Sequence, residues 1–204
     1  MGPFPFAIRN LLKELEERGV AHDAHEPEHS RKFLNLAPET AELVSILVRS
    51  SGSQRVLEIG TSNGYSTIWL AASVNPWGGR IISIDRNAEK QRMARENLQR
   101  AGLVGQVDLH CGDATEVVST LPGPFDFVLF DADRKSAPQQ LNLLLPKLAT
   151  KALILADNVL SHPAEIADYL ATIYTLEHLQ HVMVPIGKGL SVALHQAPPS
   201  SFDL

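Results

Sequence analysis

Cysteine is nearly absent from this 204-residue chain: Cys111 is alone, so no internal disulfide can form, which suits a reducing, cytoplasmic environment. No segment approaches the roughly 18 consecutive apolar residues of a membrane-spanning helix, and the first residues lack the apolar core of a secretory signal. The net charge of −5 gives no basic excess for nucleic acid. We therefore expect a cytoplasmic protein with neither a membrane nor a nucleic-acid partner.

The common phosphate-binding motifs are missing from the glycine-rich turn of the chain. This turn lies within RVLEIGTSNGYSTIWLA, where Gly60 and Gly64 connect an apolar run to a helical run. Its spacing is G-x-x-x-G, which differs from the G-x-G-x-x-G of dinucleotide-binding folds, and it lacks the lysine of a P-loop. Glycines here leave backbone N–H groups open to a ligand at the helix start. Glu58, just before the turn, favours a ligand with hydroxyl or cationic groups.

What the sequence does contain, from Arg55 onward, is an alternation of apolar strand-like runs and helical segments. Such alternation predicts an α/β fold, Rossmann-like and doubly wound, with a mostly parallel seven-stranded sheet covered on both faces. The last two strands, HVMVPIG and LSVALH, are joined by a short turn, so they must pair as a C-terminal antiparallel hairpin. We expect one domain, 1–204, that combines an N-terminal helical segment, 1–54, with an α/β core, 55–197.

The element boundaries follow from the same patterns. The other predicted strands are 56–59, 80–85, 107–111, 125–130 and 152–156. The predicted helices are 8–18, 38–49, 65–74, 88–101, 115–121, 138–148 and 162–176. Gly19 is expected to end the first helix, and 22–32 is expected to be a polar loop.

Polar residues end several predicted strands, at the edge where doubly wound sheets bind ligands. Asp85 can accept hydrogen bonds from both hydroxyls of a ribose that lies across the glycine turn. Asp113 can contact an adenine amino group or, alternatively, only cap the next helix. Asp131, Asp157 and Asn158 end two neighbouring strands, and their oxygens suit Mg²⁺ better than zinc. The structural alternative is that these acids are caps, with Asp157 and Asn158 capping the turn that follows.

With these residues in view, the chain resembles the class I S-adenosylmethionine-dependent methyltransferases. Within them it is similar to the cation-dependent O-methyltransferases, the group that contains catechol and caffeoyl-CoA O-methyltransferases. The resemblance covers 33–195 and rests on LAPETAELV, RVLEIGTSNGYSTIWLA, IISIDRN, CGDAT, FDFVLFDADRK, LILADNVL and PIGKGLSVAL.

The resemblance implies a function: transfer of the S-adenosylmethionine methyl group to a hydroxyl of a small catechol or phenol acceptor. S-adenosylhomocysteine would be the product, and Mg²⁺ or another divalent cation would assist. The family also suggests a homodimer.

The same resemblance implies site residues, position by position. The cofactor would contact Leu36, Glu58, Gly60, Thr61, Gly64, Ser66, Asp85, Asp113, Ala114 and Asp131. The metal would be held by Asp131, Asp157 and Asn158, and Asp131 and Arg134 would act in catalysis.

The chain departs from the family in two places. Arg134 stands in DADRK where the family usually has a lysine that serves as base or orients an oxygen. Arginine stays protonated, so it cannot be the base, although it can stabilise a phenolate. The segment after Asn158 also passes almost directly into a helix, where the family often has a longer loop over the substrate. Both departures leave open a catalytically silent cofactor-binding protein, and a structural role for Asp157 and Asn158 leaves open a metal-independent methyltransferase of another acceptor. The turn spacing and the terminal hairpin disfavour an NAD-dependent dehydrogenase.

Overall fold

A computed structural model describes residues 3–197 of the chain. Seven helices and seven strands alternate through most of it. The helices are α1 (Phe6–His25), α2 (Pro38–Ser51), α3 (Tyr65–Val74), α4 (Ala88–Arg100), α5 (Ala114–Thr120), α6 (Ala137–Leu144) and α7 (Pro163–Thr175). The strands are β1 (Arg55–Ile59), β2 (Arg80–Asp85), β3 (Val107–Cys111), β4 (Phe125–Phe130), β5 (Leu148–Ala156), β6 (Leu179–Val184) and β7 (Leu190–Gln196).

The strands form one seven-stranded sheet in the order β3-β2-β1-β4-β5-β7-β6. The pairings among β1 to β5 are parallel, and β7 is antiparallel to both β5 and β6. The predicted doubly wound sheet with its C-terminal hairpin is therefore confirmed. The order reverses direction at β1, which places the carboxyl ends of β1, β2 and β4 around the crevice where such folds bind ligands.

Each face of the sheet buries its own apolar cluster, because successive side chains of a strand point to opposite faces. In β4, Phe127 and Leu129 join the cluster formed with α1 to α4, whereas Val128 and Phe130 join the cluster formed with α5 to α7. Helices α1 and α2 thus share a core with the sheet. Among residues 3–197, no helix is both long enough and apolar enough to cross a membrane.

The first helix is longer than the sequence predicted. The expectation that Gly19 ends it, with a loop from residue 22, was wrong, because α1 continues through Gly19 to His25. Gly19 is buried, and a Cβ there would lie 2.5 Å from Nδ2 of Asn35. It is therefore a close-packing glycine. The helix ends before Pro27, which disfavours helical angles at Glu26, and Glu26 is extended with ψ of 113°.

Candidate active site

The carboxyl edge of the sheet opens into a cavity of about 700 Å³. It is bounded by the strand ends, by the start of α3, by the segment 29–36 and by the turn between β6 and β7. Ten of the predicted site residues line it together: Leu36, Gly60, Thr61, Ser66, Asp85, Asp113, Ala114, Asp131, Arg134 and Asn158. Three do not line it: Glu58, Gly64 and Asp157. The edge therefore gathers most, but not all, of the residues that the sequence suggested.

The turn after β1 is shaped by close approach of backbone segments. Gly60 has φ of +115°, and a Cβ there would lie 2.7 Å from the carbonyl carbon of Asp131. Its N–H donates to the carbonyl of Ile84 at 2.9 Å, which ties the turn to β2. Gly64 faces away from the cavity, where a Cβ would lie 3.0 Å from Cα of Ala94 in α4. The glycines thus let β1 and α3 pack closely against their neighbours.

Glu58 is a fully buried carboxyl group whose side chain points into the protein. Its Oε1 accepts a hydrogen bond from the Ser66 hydroxyl at 2.6 Å, and its Oε2 accepts from Thr67 and Ser83 at 2.5 Å each. Burial raises its pKa to about 7, although these three hydroxyls lower it and the charge of Asp85 adds to the rise. The sequence suggested that Glu58 contacts the ligand directly, but its side chain does not line the cavity. It instead holds the Ser66 and Thr67 hydroxyls at the start of α3.

Asp85 presents a fixed carboxylate to the cavity. Its Oδ2 accepts from the N–H of Ser62 and its Oδ1 accepts from the N–H of Asn87, both at 2.8 Å. Each oxygen keeps lone pairs for a ligand hydroxyl.

Asp113 caps α5 through its Oδ1, which accepts from the N–H groups of Thr115 at 2.9 Å and Glu116 at 3.1 Å. Asp113 therefore caps α5, which was one of the two predicted roles, and it also lines the cavity.

The segment 29–36 forms one wall of the cavity through contacts that the sequence did not reveal. The Asp23 carboxylate accepts from the N–H groups of Phe33 at 2.7 Å and Leu34 at 2.8 Å. Ser62 donates to the carbonyl of Phe33 at 2.7 Å, and Lys90 donates to the carbonyl of Lys32 at 2.6 Å. Nothing in the local pattern of the first helix marks Asp23 for this role, since its partners lie ten and eleven residues away.

Asp131 and Asn158 line the cavity just after β4 and β5 end, whereas Asp157, the neighbour of Asn158 in the chain, does not line it. Burial and the charge of Asp157 raise the pKa of Asp131 well above its usual value, and burial raises the pKa of Asp157 to about 6. The Asn158 amide donates to Oδ1 of Asp131 at 3.3 Å, and Asn158 has φ of +66°. Oδ1 of Asp157 is buried with no hydrogen-bond partner among the described residues.

This arrangement fits a hard divalent cation. The half-buried carboxyl group of Asp131 and the buried carboxyl group of Asp157 repel each other, and one Asp157 oxygen has no partner, so the pair gains from a positive ion. The Asn158 carbonyl oxygen is a further suitable donor. Three or more His, Cys, Asp or Glu side chains never come together in a metal-binding arrangement within residues 3–197. The donors here would therefore be two carboxylates and an amide, with water or substrate oxygens completing the coordination.

Two basic side chains lie close enough to the acids to affect their pKa values. Arg134 donates from Nε to Oε2 of Glu165 in α7 at 2.9 Å, and its Nη2 lies 2.8 Å from the same oxygen, so its guanidinium is held in place. Lys188, in the turn between β6 and β7, also lines the cavity, and its charge lowers the pKa of both aspartates. The sequence interpretation missed Lys188, although its position between two glycines in PIGKGL was a usable signal of a tight turn.

Comparison with known proteins identifies the family of the chain. The protein family described as O-methyltransferase matches residues 8–194. A catechol O-methyltransferase of Niastella koreensis is 32% identical over 157 residues, which are 75% of this chain and 71% of that protein. A catechol O-methyltransferase of Mycobacterium tuberculosis is 35% identical over 126 residues, which are 61% of this chain and 57% of that protein.

Solved structures share the whole fold. A crystal structure of an O-methyltransferase from Bacillus cereus in complex with S-adenosylhomocysteine superimposes with a TM-score of 0.77, at 25% identity, covering 92% of this chain and 91% of that one. An O-methyltransferase structure from Klebsiella pneumoniae gives a TM-score of 0.79 at 27% identity, covering 96% and 92%. Since the family matches almost all of the described residues, this chain belongs to the S-adenosylmethionine-dependent O-methyltransferases.

Proposed function

We propose that this enzyme methylates a hydroxyl of a small catechol-like acceptor with the help of a divalent metal held by Asp131, Asp157 and Asn158. The observation that carries the proposal is the pair of carboxyl groups that follow β4 and β5: half-buried Asp131, which lines the cavity, and buried Asp157, which has an unpartnered oxygen. The names of the relatives from Niastella koreensis and Mycobacterium tuberculosis, both catechol O-methyltransferases, support the acceptor class.

We assign the part of the cavity beside Asp85 to S-adenosylmethionine. Asp85 would accept from the ribose hydroxyls, because its carboxylate is already oriented by two backbone N–H groups. The Gly60 turn, Thr61 and Ser66 would adjoin the methionine portion, and Asp113-Ala114 the adenine, with Leu36 closing over the cofactor. Glu58 would act through the Ser66 hydroxyl that it holds.

The acceptor would lie between the cofactor and the acidic pair. A bound divalent cation would hold two adjacent acceptor oxygens and lower the pKa of the attacking hydroxyl. The carbon–sulfur bond of the sulfonium breaks as the carbon–oxygen bond forms, and the hydroxyl proton passes to solvent. The protein's share is positioning: the fixed edge of the sheet aligns oxygen, methyl group and sulfur. Arg134 stays protonated and cannot accept the proton, so it contributes positive potential beside the acids.

The experiment is methyl transfer from labelled S-adenosylmethionine to catechol, with Mg²⁺ and with EDTA, in the wild type and in Asp157→Asn. We expect EDTA to abolish product and D157N to lose about 100-fold or more of the metal-dependent rate, because a charged ligand is removed. Binding of S-adenosylhomocysteine, measured by calorimetry, should stay nearly unchanged in D157N.

Asp108→Asn is the matched control, because Asp108 pairs with Arg80 on the surface, away from the cavity. It removes the same charge and should keep wild-type turnover. Product formation that is insensitive to EDTA would replace the proposal with a metal-independent methyltransferase. Tight cofactor binding without turnover on any acceptor would favour a catalytically silent protein.

A further inference from the structure

The turn between β6 and β7 holds Lys188 at the acceptor end of the cavity. A Cβ on Gly187 would lie 2.5 Å from Oγ1 of Thr40 in α2, and one on Gly189 would lie 2.7 Å from Cβ of Leu160. The N–H of Leu160 also donates to the carbonyl of Lys188 at 3.0 Å. The turn is thus packed tightly between α2 and the segment that follows the metal-site asparagine, so the backbone of Lys188 is well fixed.

The side chain of Lys188 differs from those of Arg134 and Lys90 in having no ion-pair or hydrogen-bond partner among the described residues. Arg134 is paired with Glu165 at 2.8 Å, and Lys90 donates to the carbonyl of Lys32 at 2.6 Å. Lys188 has no carboxylate within 4.0 Å among residues 3–197, although it lines the cavity. It lies close enough to Asp131 and Asp157 to lower the pKa of both. Its ammonium group therefore remains available to a ligand.

Charge balance indicates which ligand that is. A divalent cation at Asp131 and Asp157 would neutralise both carboxylates, and the Arg134 charge is already matched by Glu165. The charge of Lys188 would then be the unmatched one at the acceptor end. In a plain catechol the oxygen that loses its proton would be held at the cation, so Lys188 keeps no direct partner, whereas an acceptor that carries a second, anionic group supplies one and gains a charge-assisted hydrogen bond.

We propose that Lys188 binds a carboxylate on the acceptor, so that this enzyme prefers catechol carboxylates to neutral catechols. The inference rests on the proposed function and narrows it to one substrate class. Lys188 is an acceptor-binding residue here, and the neutral catechol remains a substrate that does not use it.

The test compares two ligands of nearly equal shape, 3,4-dihydroxybenzoate and 3,4-dihydroxybenzamide. Calorimetry measures their binding to protein loaded with S-adenosylhomocysteine and Mg²⁺. We expect the wild type to bind the benzoate about tenfold more tightly, the lower range for a charged hydrogen bond at an exposed lysine. Lys188→Gln should remove that preference and leave benzamide affinity unchanged. Lys188→Arg should keep most of it.

Lys135→Gln is the matched control, because Lys135 is exposed, one residue from Arg134, and does not line the cavity. It removes the same charge and should keep the preference for benzoate. The inference is overturned if the wild type shows no preference, if K188Q keeps it, or if K188Q weakens both ligands equally. Turnover of the neutral benzamide by the wild type tests the proposed function separately, since it does not involve Lys188.

Discussion

At the scale of single residues, Asp85 offers the clearest test of the cofactor site. Both of its oxygens are oriented by backbone N–H groups at 2.8 Å, so the carboxylate is preorganised for ribose hydroxyls. We expect Asp85→Ala to weaken S-adenosylhomocysteine binding by about 1–3 kcal/mol, which is the range for losing hydrogen bonds to a charged group. Calorimetric titration of the metal-free protein measures this without any acceptor.

Part of that loss could come from a disordered turn, because Asp85 also holds Ser62. Asp126→Ala provides the comparison: it likewise removes an aspartate that accepts two backbone N–H groups, from Gln54 at 2.8 Å and Arg55 at 2.9 Å, but Asp126 does not line the cavity. If D85A binds the cofactor as tightly as the wild type, Asp85 is not the ribose ligand. If D126A weakens binding as much as D85A, the effect is a general loss of structure rather than of hydroxyl contacts.

Two acids near strand ends show how much of the site can be predicted from residue types alone. The sequence predicted a cofactor contact for both Glu58, just before the glycine turn, and Asp85, at the end of the next strand. The structure separates them: Asp85 ends its strand at the cavity, whereas Glu58 lies one residue inside β1 and is buried. The hydroxyls that satisfy it come from α3 and β2, so only the packed fold brings them together.

At the scale of elements, the close approach of the two backbone segments that follow β1 and β4 depends on Gly60. Any side chain there must adopt φ near +115° and also displace the backbone of Asp131. We expect Gly60→Ala to lower the free energy of unfolding by about 3 kcal/mol or more, since backbone strain and overpacking add. Urea denaturation measures this loss, and cofactor affinity should fall with it because the turn moves.

The matched control is Gly102→Ala. Gly102 also has positive φ, +70°, but a Cβ there meets nothing within 4 Å. Gly102→Ala therefore measures only the cost of placing a side chain at positive φ, which is about 1–2 kcal/mol. Equal destabilisation by G60A and G102A would mean that the Asp131 backbone moves away from the new Cβ at no cost in free energy. That result would contradict the tight packing of the two backbone segments at this edge of the sheet.

Elements of this fold were largely predictable because their signals are local. Apolar runs and their alternation with helices gave all seven strands, since a strand buried on both faces must be apolar throughout. The end of α1 was mispredicted because Gly19 serves a contact with Asn35, sixteen positions along the chain, which is invisible in the local pattern. Of the wall formed by 29–36, only Leu36 was predicted to contact the cofactor; the rest was missed for the same reason, since it depends on Asp23 and Ser62.

At the scale of the whole molecule, buried carboxyl groups give the stability an unusual pH dependence. Burial raises the pKa of Glu58 from 4.5 to about 7 and that of Asp157 from 3.8 to about 6. Between those values the folded protein keeps protons that the unfolded chain has released, so unfolding becomes easier as pH rises. Two histidines whose pKa is lowered by burial, His181 and His195, act in the opposite direction.

Comparison of the wild type with Glu58→Gln isolates the contribution of Glu58 to the pH dependence of stability. Glutamine cannot ionise, so the wild type should lose about 2–3 kcal/mol of unfolding free energy relative to E58Q between pH 5 and pH 8, and the loss should level off above the folded pKa. Urea denaturation in EDTA measures both proteins at each pH, and the exposed Glu177→Gln should follow the wild type throughout. A constant difference between wild type and E58Q would mean that Glu58 is ionised at pH 5 in the folded state. The hydrogen bonds from Ser66, Thr67 and Ser83 would then fully offset the effect of burial on the pKa of Glu58. The carboxyl edge of the sheet, beside the proposed cofactor site, would carry one more negative charge.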